Sequence, residues 1–326
     1  MLLSGDIGGT NTRLALYEYK KPLKLIKEER FLSSNYSTLL SAIHHFLKNE
    51  KVNIEAASFG VAGPVRNGTC QTTNIPWLID VFEIAKDLNI SKAYLLNDLE
   101  ANAYGVECLK EDEFFVLNEG DENAKGNACI VAAGTGLGEA GMYFNGKRLR
   151  PFACEGGHTD FGPQNDLEID LLKFLQKKYG HVSYERILTG EGIYNLYEFI
   201  VENNLEPKEE KLDEELKKLS EPQVLITKKG VNKESKICER VIDWFISIYG
   251  AEAGNAALKF FALGGVYLGG GIAPKILDKL QDSSFMKSFA DKGRFSKLMM
   301  AMPVKVILND RAALLGASNF AIINKS

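Results

Sequence analysis

Cysteine is sparse and unpatterned. Five residues, Cys70, Cys108, Cys129, Cys154 and Cys238, are scattered along 326 positions with no C-x-x-C pair. An odd, dispersed set excludes a disulfide scaffold and a zinc ribbon, and implies reduced thiols in the cytoplasm. A surplus of one charge is missing too: the net charge is −4, the pI is near 5.8, and there is no basic block. Nothing here recruits nucleic acid or an anionic membrane. Long hydrophobic runs are also absent. The most apolar late stretch, Phe260 to Ala273, is short, rich in glycine and unable to span a bilayer. Met1-Leu2-Leu3 leads straight into Ser4-Gly5-Asp6, without the charged and apolar regions of a signal peptide, so no leader is expected. What is left, 45% hydrophobic and 25% charged residues, is the make-up of a soluble globular protein long enough for two ordinary domains.

The chain opens as strand, tight turn, strand, in "SGDIGGTNTRLAL", and continues extended toward Phe31. Leu39, Leu40, Ile43, Phe46 and Leu47 line one face of a helix between Tyr36 and Asn49. "IEAASFGVAGPV" reads as a strand broken at Gly63-Pro64, and "KAYLLNDLEANAYGV" as a strand followed by a helix. This mixture predicts an α/β layer architecture. A second strand–turn–strand follows in "NACIVAAGTGLGEAGMYFNG". Thr10 and Thr135 lie about a domain's length apart, which suggests a duplicated architecture with one glycine-threonine hairpin per domain. From Asp166 the pattern turns helical, with Ile237, Val241, Trp244, Phe245 and Ile248 on one stripe. The charged stretch from Asn203 to Pro222 reads as a solvated helical excursion. "FFALGGVYLGGGIAP" is a strand ending in glycines, and "RAALLGASNFAII" is a closing helix that follows the strand "VKVIL" and returns the chain to the first domain.

Each candidate motif has a bland reading beside its chemical one. Gly8 and Gly9 let backbone amides approach an anion, Thr10 adds a hydroxyl, and Asp6 suits Mg²⁺, directly or through water. The alternative is a plain hairpin turn. The segment lacks the G-K-[ST] of a Walker loop and the G-x-G-x-x-G of a dinucleotide fingerprint. Gly134, Thr135 and Gly136 form a weaker copy, but two such hairpins facing a cleft can grip a triphosphate from both sides. Gly269-Gly270-Gly271 clears side chains from a surface where a flat ring could lie, or simply closes a strand against a helix. Asn97-Asp98 stands where a strand meets a helix, the edge at which open α/β sheets hold ligands. There Asp98 is placed to act as a general base, and both residues are equally ordinary helix N-caps. Glu155-Gly-Gly-His158 joins an acceptor and a donor on a flexible loop, a fit for vicinal hydroxyls rather than for a metal. Glu185 is either a further acceptor or a surface glutamate, while His44, His45 and His181 read as structural or exposed.

The order D-x-G-G-T-N, N-D, G-T-G-L-G, E-G-G-H, G-G-G and a final R-A-A-L-L-G-A helix closely resembles the bacterial hexose-specific glucokinases outside the repressor-and-kinase group. The resemblance covers nearly the whole chain. It implies an actin-like ATPase (ribonuclease H-like) fold, two α/β domains around a deep cleft: a small one of residues 1–110 plus 303–326 and a large one of residues 111–302. By position, Asp6, Gly8, Gly9, Thr10 and Asn11 resemble the first phosphate loop, with Asp6 toward Mg²⁺. Gly134, Thr135 and Gly136 resemble the second, and Gly269, Gly270 and Gly271 the adenosine segment. Asn97, Asp98, Glu155, His158 and Glu185 match sugar contacts, with Asp98 the base. "TTNIPWLID", containing Asn74, Pro76 and Trp77, resembles the small domain's sugar-side loop. The implied activity is Mg²⁺- and ATP-dependent phosphorylation of D-glucose at its 6-hydroxyl, in a cytoplasmic homodimer. The missing zinc-binding cysteine cluster implies no structural metal. The rivals are an actin-like nucleotide switch, a sugar-responsive repressor, and a kinase for another small substrate. A switch needs neither Asn97-Asp98 nor Glu155-Gly-Gly-His158, and a repressor would need a helix-turn-helix segment ahead of Asp6.

Overall fold

A computed structural model describes residues 1–326 except Thr73, Asn74, Ser283 and Ser326. Asn74, one of the expected sugar-side positions, therefore lies outside the described residues. The chain forms two compact units: Met1–Glu113 with Arg150–Ala153 and Asn309–Ser326, and Phe114–Leu149 with Cys154–Leu308.

The first unit begins with β1 (Leu2–Ile7), β2 (Asn11–Tyr17) and β3 (Leu25–Leu32), followed by α1 (Leu39–Leu47) and β4 (Ala56–Val61). The small strands β5 (Thr69–Gln71) and β6 (Leu78–Asp80), then α2 (Val81–Asp87), β7 (Ala93–Asn97) and α3 (Asp98–Val106), complete its N-terminal part. Its main sheet has the order β3-β2-β1-β4-β7. The two glycines of the first hairpin let β1 and β2 pair antiparallel, with Asp6 opposite Arg13, and β4 lies parallel on the other side of β1. Side chains alternate across this sheet as the strand period demands. Leu3, Ile7, Leu14, Leu16 and Phe59 pack with Ile43 and Phe46 of α1 on one face, while Leu2, Ala15 and Tyr17 face the closing helix on the other. Helix α1 starts on a capping box, Thr38 Oγ1 accepting from the Ser41 amide at 3.1 Å and Ser41 Oγ accepting from the Thr38 amide at 3.3 Å.

The second unit contains β8 (Phe114–Asn118), β9 (Ala128–Ala133), β10 (Leu137–Phe144) and the ends of β11 (Leu149–Cys154). There follow α4 (Asp166–Tyr179), α5 (Gly190–Glu202), α6 (Glu210–Leu216), α7 (Pro222–Val231) and α8 (Lys236–Phe260). Then come β12 (Gly265–Gly269), α9 (Leu277–Leu280), α10 (Ser284–Ala290), α11 (Ser296–Met300) and β13 (Val304–Ile307). Along its sheet the neighbours run β10-β9-β12-β13-β8. Every residue of β9 is buried, as a central strand covered on both faces requires. Helix α8 is capped by Ser235 and sends the Tyr249 hydroxyl to the Val131 carbonyl of β9 at 2.9 Å.

The chain then returns to the first unit as α12 (Ala312–Ile323). Strand β13 does not accompany it. Residues 303–308 were expected in the small domain, but β13 pairs parallel with β12 and antiparallel with β8, and those ladders hold it in the second unit. The charged excursion also differs from a solvated one. Leu212 and Leu216 of α6 are buried, and the Tyr197 hydroxyl donates to Asp213 at 2.6 Å. No helix among the described residues is long and apolar enough to cross a membrane.

Candidate active site

In the first unit the turn between β1 and β2 presents Gly8, Gly9 and an exposed Thr10. The Gly8 amide donates to the Asn11 carbonyl at 2.9 Å, and the Ser33 amide to the Thr10 carbonyl at 3.0 Å. Ser33, wholly buried, also donates its hydroxyl to the Gly8 carbonyl at 2.9 Å and meets Thr12 Oγ1 at 3.0 Å. The turn is thus clamped from behind by a residue in which the sequence carried no motif. Asp6 sits half-buried at the end of β1. Burial raises its carboxyl above the ordinary aspartate range and nearby Asp310 pushes the same way, while Arg13 and Arg30 oppose them. Arg13 itself pairs with Asp310 at 2.7 Å and with Glu28 at 3.6 Å.

Asn97 ends β7 and Asp98 begins α3. Asn97 is the helix N-cap: its Oδ1 accepts from the amides of Leu99 at 2.9 Å and Glu100 at 3.3 Å, and its Nδ2 donates to the Gly63 carbonyl at 3.3 Å. Asp98 Oδ1 accepts from the Leu99 amide at 3.0 Å. Both carboxylate and amide therefore stand at the positive end of a helix, and close packing holds them there. A Cβ built on Gly60 of β4 would fall 2.8 Å from the Cβ of Ala101, so only glycine lets α3 sit this near the sheet. Trp77, expected in a sugar-side loop, is instead a core anchor, buried with its indole N–H on the Tyr36 carbonyl at 3.0 Å. Pro76 beside it is exposed.

In the second unit Gly134, Thr135 and Gly136 turn β9 into β10, with the Gly134 amide donating to the Gly136 carbonyl at 2.9 Å. Thr135 and Gly136 are exposed. The glycine triplet lies against this turn. Gly269 pairs with Ala132, and the Ile272 amide donates to the Ala133 carbonyl at 3.1 Å. Gly270 has φ +79°, and a Cβ there would come 2.2 Å from the Ala133 oxygen, while the space over Gly271 is open.

Glu155 and His158 flank a short turn that is more ordered than a flexible loop. Gly156–His158 makes one 3₁₀ turn, the His158 amide donating to the Glu155 carbonyl at 3.1 Å. Both side chains are exposed. Glu185 joins the groups: its Oε2 accepts from the Leu137 amide at 3.1 Å and its Oε1 lies 3.8 Å from His158 Nδ1. It is no ordinary surface glutamate, since it links the second glycine turn to the Glu155–His158 turn. His44 pairs with Asp87 at 2.6 Å and His181 with Asp160 at 2.8 Å, both exposed.

The family profile described as Glucokinase matches residues 3–323. Curated relatives include the glucokinase of a Nostoc species, 38% identical with 98% of each chain covered, and that of Trichormus variabilis, 37% identical with the same coverage. The chain belongs to the glucokinase family. Among solved structures, the glucokinase of an Antarctic psychrotroph superposes with a TM-score of 0.85 at 29% identity, covering 100% of this chain and 99% of its own. The fold is that of the actin-like ATPases. It is shared with the ROK-family glucokinase of Streptomyces griseus, described in complex with glucose and AMPPNP, which superposes with a TM-score of 0.66 at 18% identity over 98% of both chains.

Within this glucokinase-family chain, sequence reasoning passed over Ser33, the Arg13–Asp310 pair and the buried acids Glu139 and Glu252. A lone serine after a strand and two ordinary glutamates carry no local signature. Only burial and distant partners distinguish them.

Proposed function

We propose that the protein is an ATP:D-glucose 6-phosphotransferase, producing glucose 6-phosphate and ADP for glycolysis. The family match over residues 3–323 carries this reading, and the glucose and AMPPNP named for the Streptomyces griseus protein support it. Each of the two glycine turns would offer backbone amides to phosphate. In the first, the Gly8–Thr10 turn is stiffened by Ser33; in the second, Gly134–Gly136 is backed by Gly269–Gly271, where the open space over Gly271 suits an adenine ring. Asp98 would accept the proton of the sugar 6-hydroxyl while that oxygen attacks the γ-phosphorus and the bond to the bridging oxygen of ADP breaks. Glu155, His158 and Glu185 would hold sugar hydroxyls, and Asn97 would act chiefly by fixing Asp98 through its cap.

Asp6 suits Mg²⁺, because it is a single carboxylate whose burial makes an added positive charge favourable. A hard cation that keeps waters and phosphate oxygens needs only one or two such donors. When bound, Mg²⁺ would neutralise phosphate charge. The same proposal places the enzyme in the cytoplasm as a homodimer, which sedimentation of the purified protein would check. A coupled assay with ATP over a panel of hexoses, N-acetylmannosamine and acetate tests the activity. Glucose should give the highest kcat/KM. Turnover of another member with none of glucose would overturn the reading.

A further inference from the structure

Beneath the Gly156–His158 turn lies a pair of carboxyl groups that the reading above leaves without a role. Glu139 on β10 is 1% exposed and Glu252 on α8 is fully buried. The two carboxyl groups are near enough for the charge of Glu252 to act on Glu139. The turn rests directly on Glu139: a Cβ built on Gly156 would fall 2.0 Å from its Oε2 and 2.6 Å from its Cδ. Next along, a Cβ on Gly157 would meet the Leu137 carbonyl at 2.0 Å. The backbone between Glu155 and His158 is therefore seated on β10 with Glu139 as part of its floor. Cys154, just ahead of the turn, donates its thiol to the Glu139 carbonyl at 3.3 Å.

The surrounding groups determine which acid carries the charge. Glu252 Oε2 accepts from Asn255 at 2.8 Å, and its Oε1 faces the Lys259 ammonium at 3.3 Å. Glu139 Oε1 has no hydrogen-bond partner among the described residues. One directly paired ammonium balances one carboxylate, so the better-served Glu252 is the anion and Glu139 the neutral acid. The other titratable groups facing the pair are Cys129 on β9, Cys154 on β11, Tyr249 on α8 and Tyr184. Burial raises all four, which keeps them neutral near pH 7. Lys292 donates to the Ala251 carbonyl at 3.1 Å; burial lowers it, with Glu252 acting the other way. Burial first, and Glu252 second, push Glu139 up to about 8.

We propose that Glu139 and Glu252 share a single proton and act as positioning residues, the singly protonated pair seating the turn that carries Glu155 and His158. Loss of that proton to solvent would put two anions against one ammonium and unseat the turn. The proposal rests on the reading of Glu155 and His158 as sugar contacts.

The test measures kcat and KM for glucose and for ATP from neutral to alkaline pH in the wild type and in Glu139→Gln. In the wild type the KM for glucose should rise several-fold as Glu139 ionises, with kcat and the KM for ATP changing far less. Glu139→Gln, which stays neutral, should flatten that rise. A variant whose glucose KM climbs as the wild type's does would overturn the proposal, because a merely structural role leaves the pH profile unmoved. Infrared spectroscopy reads the proton without activity. A carboxylic C=O band should persist in the wild type above pH 7 and vanish in Glu139→Gln. If glucose is not phosphorylated at all, the functional reading fails while this band still reports on the proton. If the variant does not fold, alkaline titration of the wild-type band decides, and its absence at neutral pH overturns the shared proton.

Discussion

Gly316 of α12 is pressed against Ala101 of α3: a Cβ built on Gly316 would lie 1.7 Å from the Ala101 carbonyl oxygen. The contact is reciprocated one turn along, where a Cβ on Gly105 would lie 2.0 Å from the Ala312 oxygen. Backbones this close leave no room for a methyl group. Gly316→Ala should therefore force the helices apart and destabilise the fold by about 3 kcal/mol. Because Asp98 begins α3, turnover per folded molecule should fall as well. Thermal unfolding checks the first effect, and an unchanged Tm would mean that the two helices part at no cost.

Asp98→Asn keeps the side chain's size and its capacity to accept the Leu99 amide. It removes the proton acceptor. Turnover should drop by a factor on the order of 10³ while the KM for glucose stays near its original value. Near-normal turnover would remove Asp98 as the base.

Glu155 and Glu185 should be separable by kinetics. Glu155 is exposed at the edge of its turn, so Glu155→Ala should weaken glucose alone. Glu185 also accepts from the Leu137 amide at the base of the second glycine turn. Glu185→Ala should raise the KM for both glucose and ATP, since it leaves that amide without its acceptor. Equal effects of the two substitutions on ATP would count against the link.

Asp6 predicts a conflict between stability and function. Its folded pKa is raised above the unfolded value, mainly by burial. The stability linked to its protonation is therefore complete below the ordinary aspartate pKa and is lost as pH rises through the folded one. At neutral pH without nucleotide the carboxylate is a cost, so Asp6→Asn should raise Tm. The same change should weaken Mg-ATP binding. A lower Tm at neutral pH would show that the Arg13 attraction outweighs desolvation.

Much of the candidate site was legible because its chemistry is local. Glycine pairs between alternating strands, an Asn-Asp at a strand-to-helix edge and a Glu-Gly-Gly-His run each state their geometry within a few residues. What could not be read was whatever depends on a distant partner. The Asn97 cap was one of two open readings until its Oδ1 was seen accepting from Leu99 and Glu100. Trp77 stood in a plausible ligand loop, yet its indole faces inward to Tyr36.

The sequence by itself determined the hairpins, the helix starts and the residue types at each turn, since backbone freedom and hydrogen-bonding capacity are properties of single residues and near neighbours. The tertiary structure alone decided that β13 stays with the second unit, that Ser33 braces the first turn, and that Glu139 lies buried under Gly156. Burial and pairing between residues a hundred positions apart exist only after the chain has folded, and they set which carboxyl groups are charged.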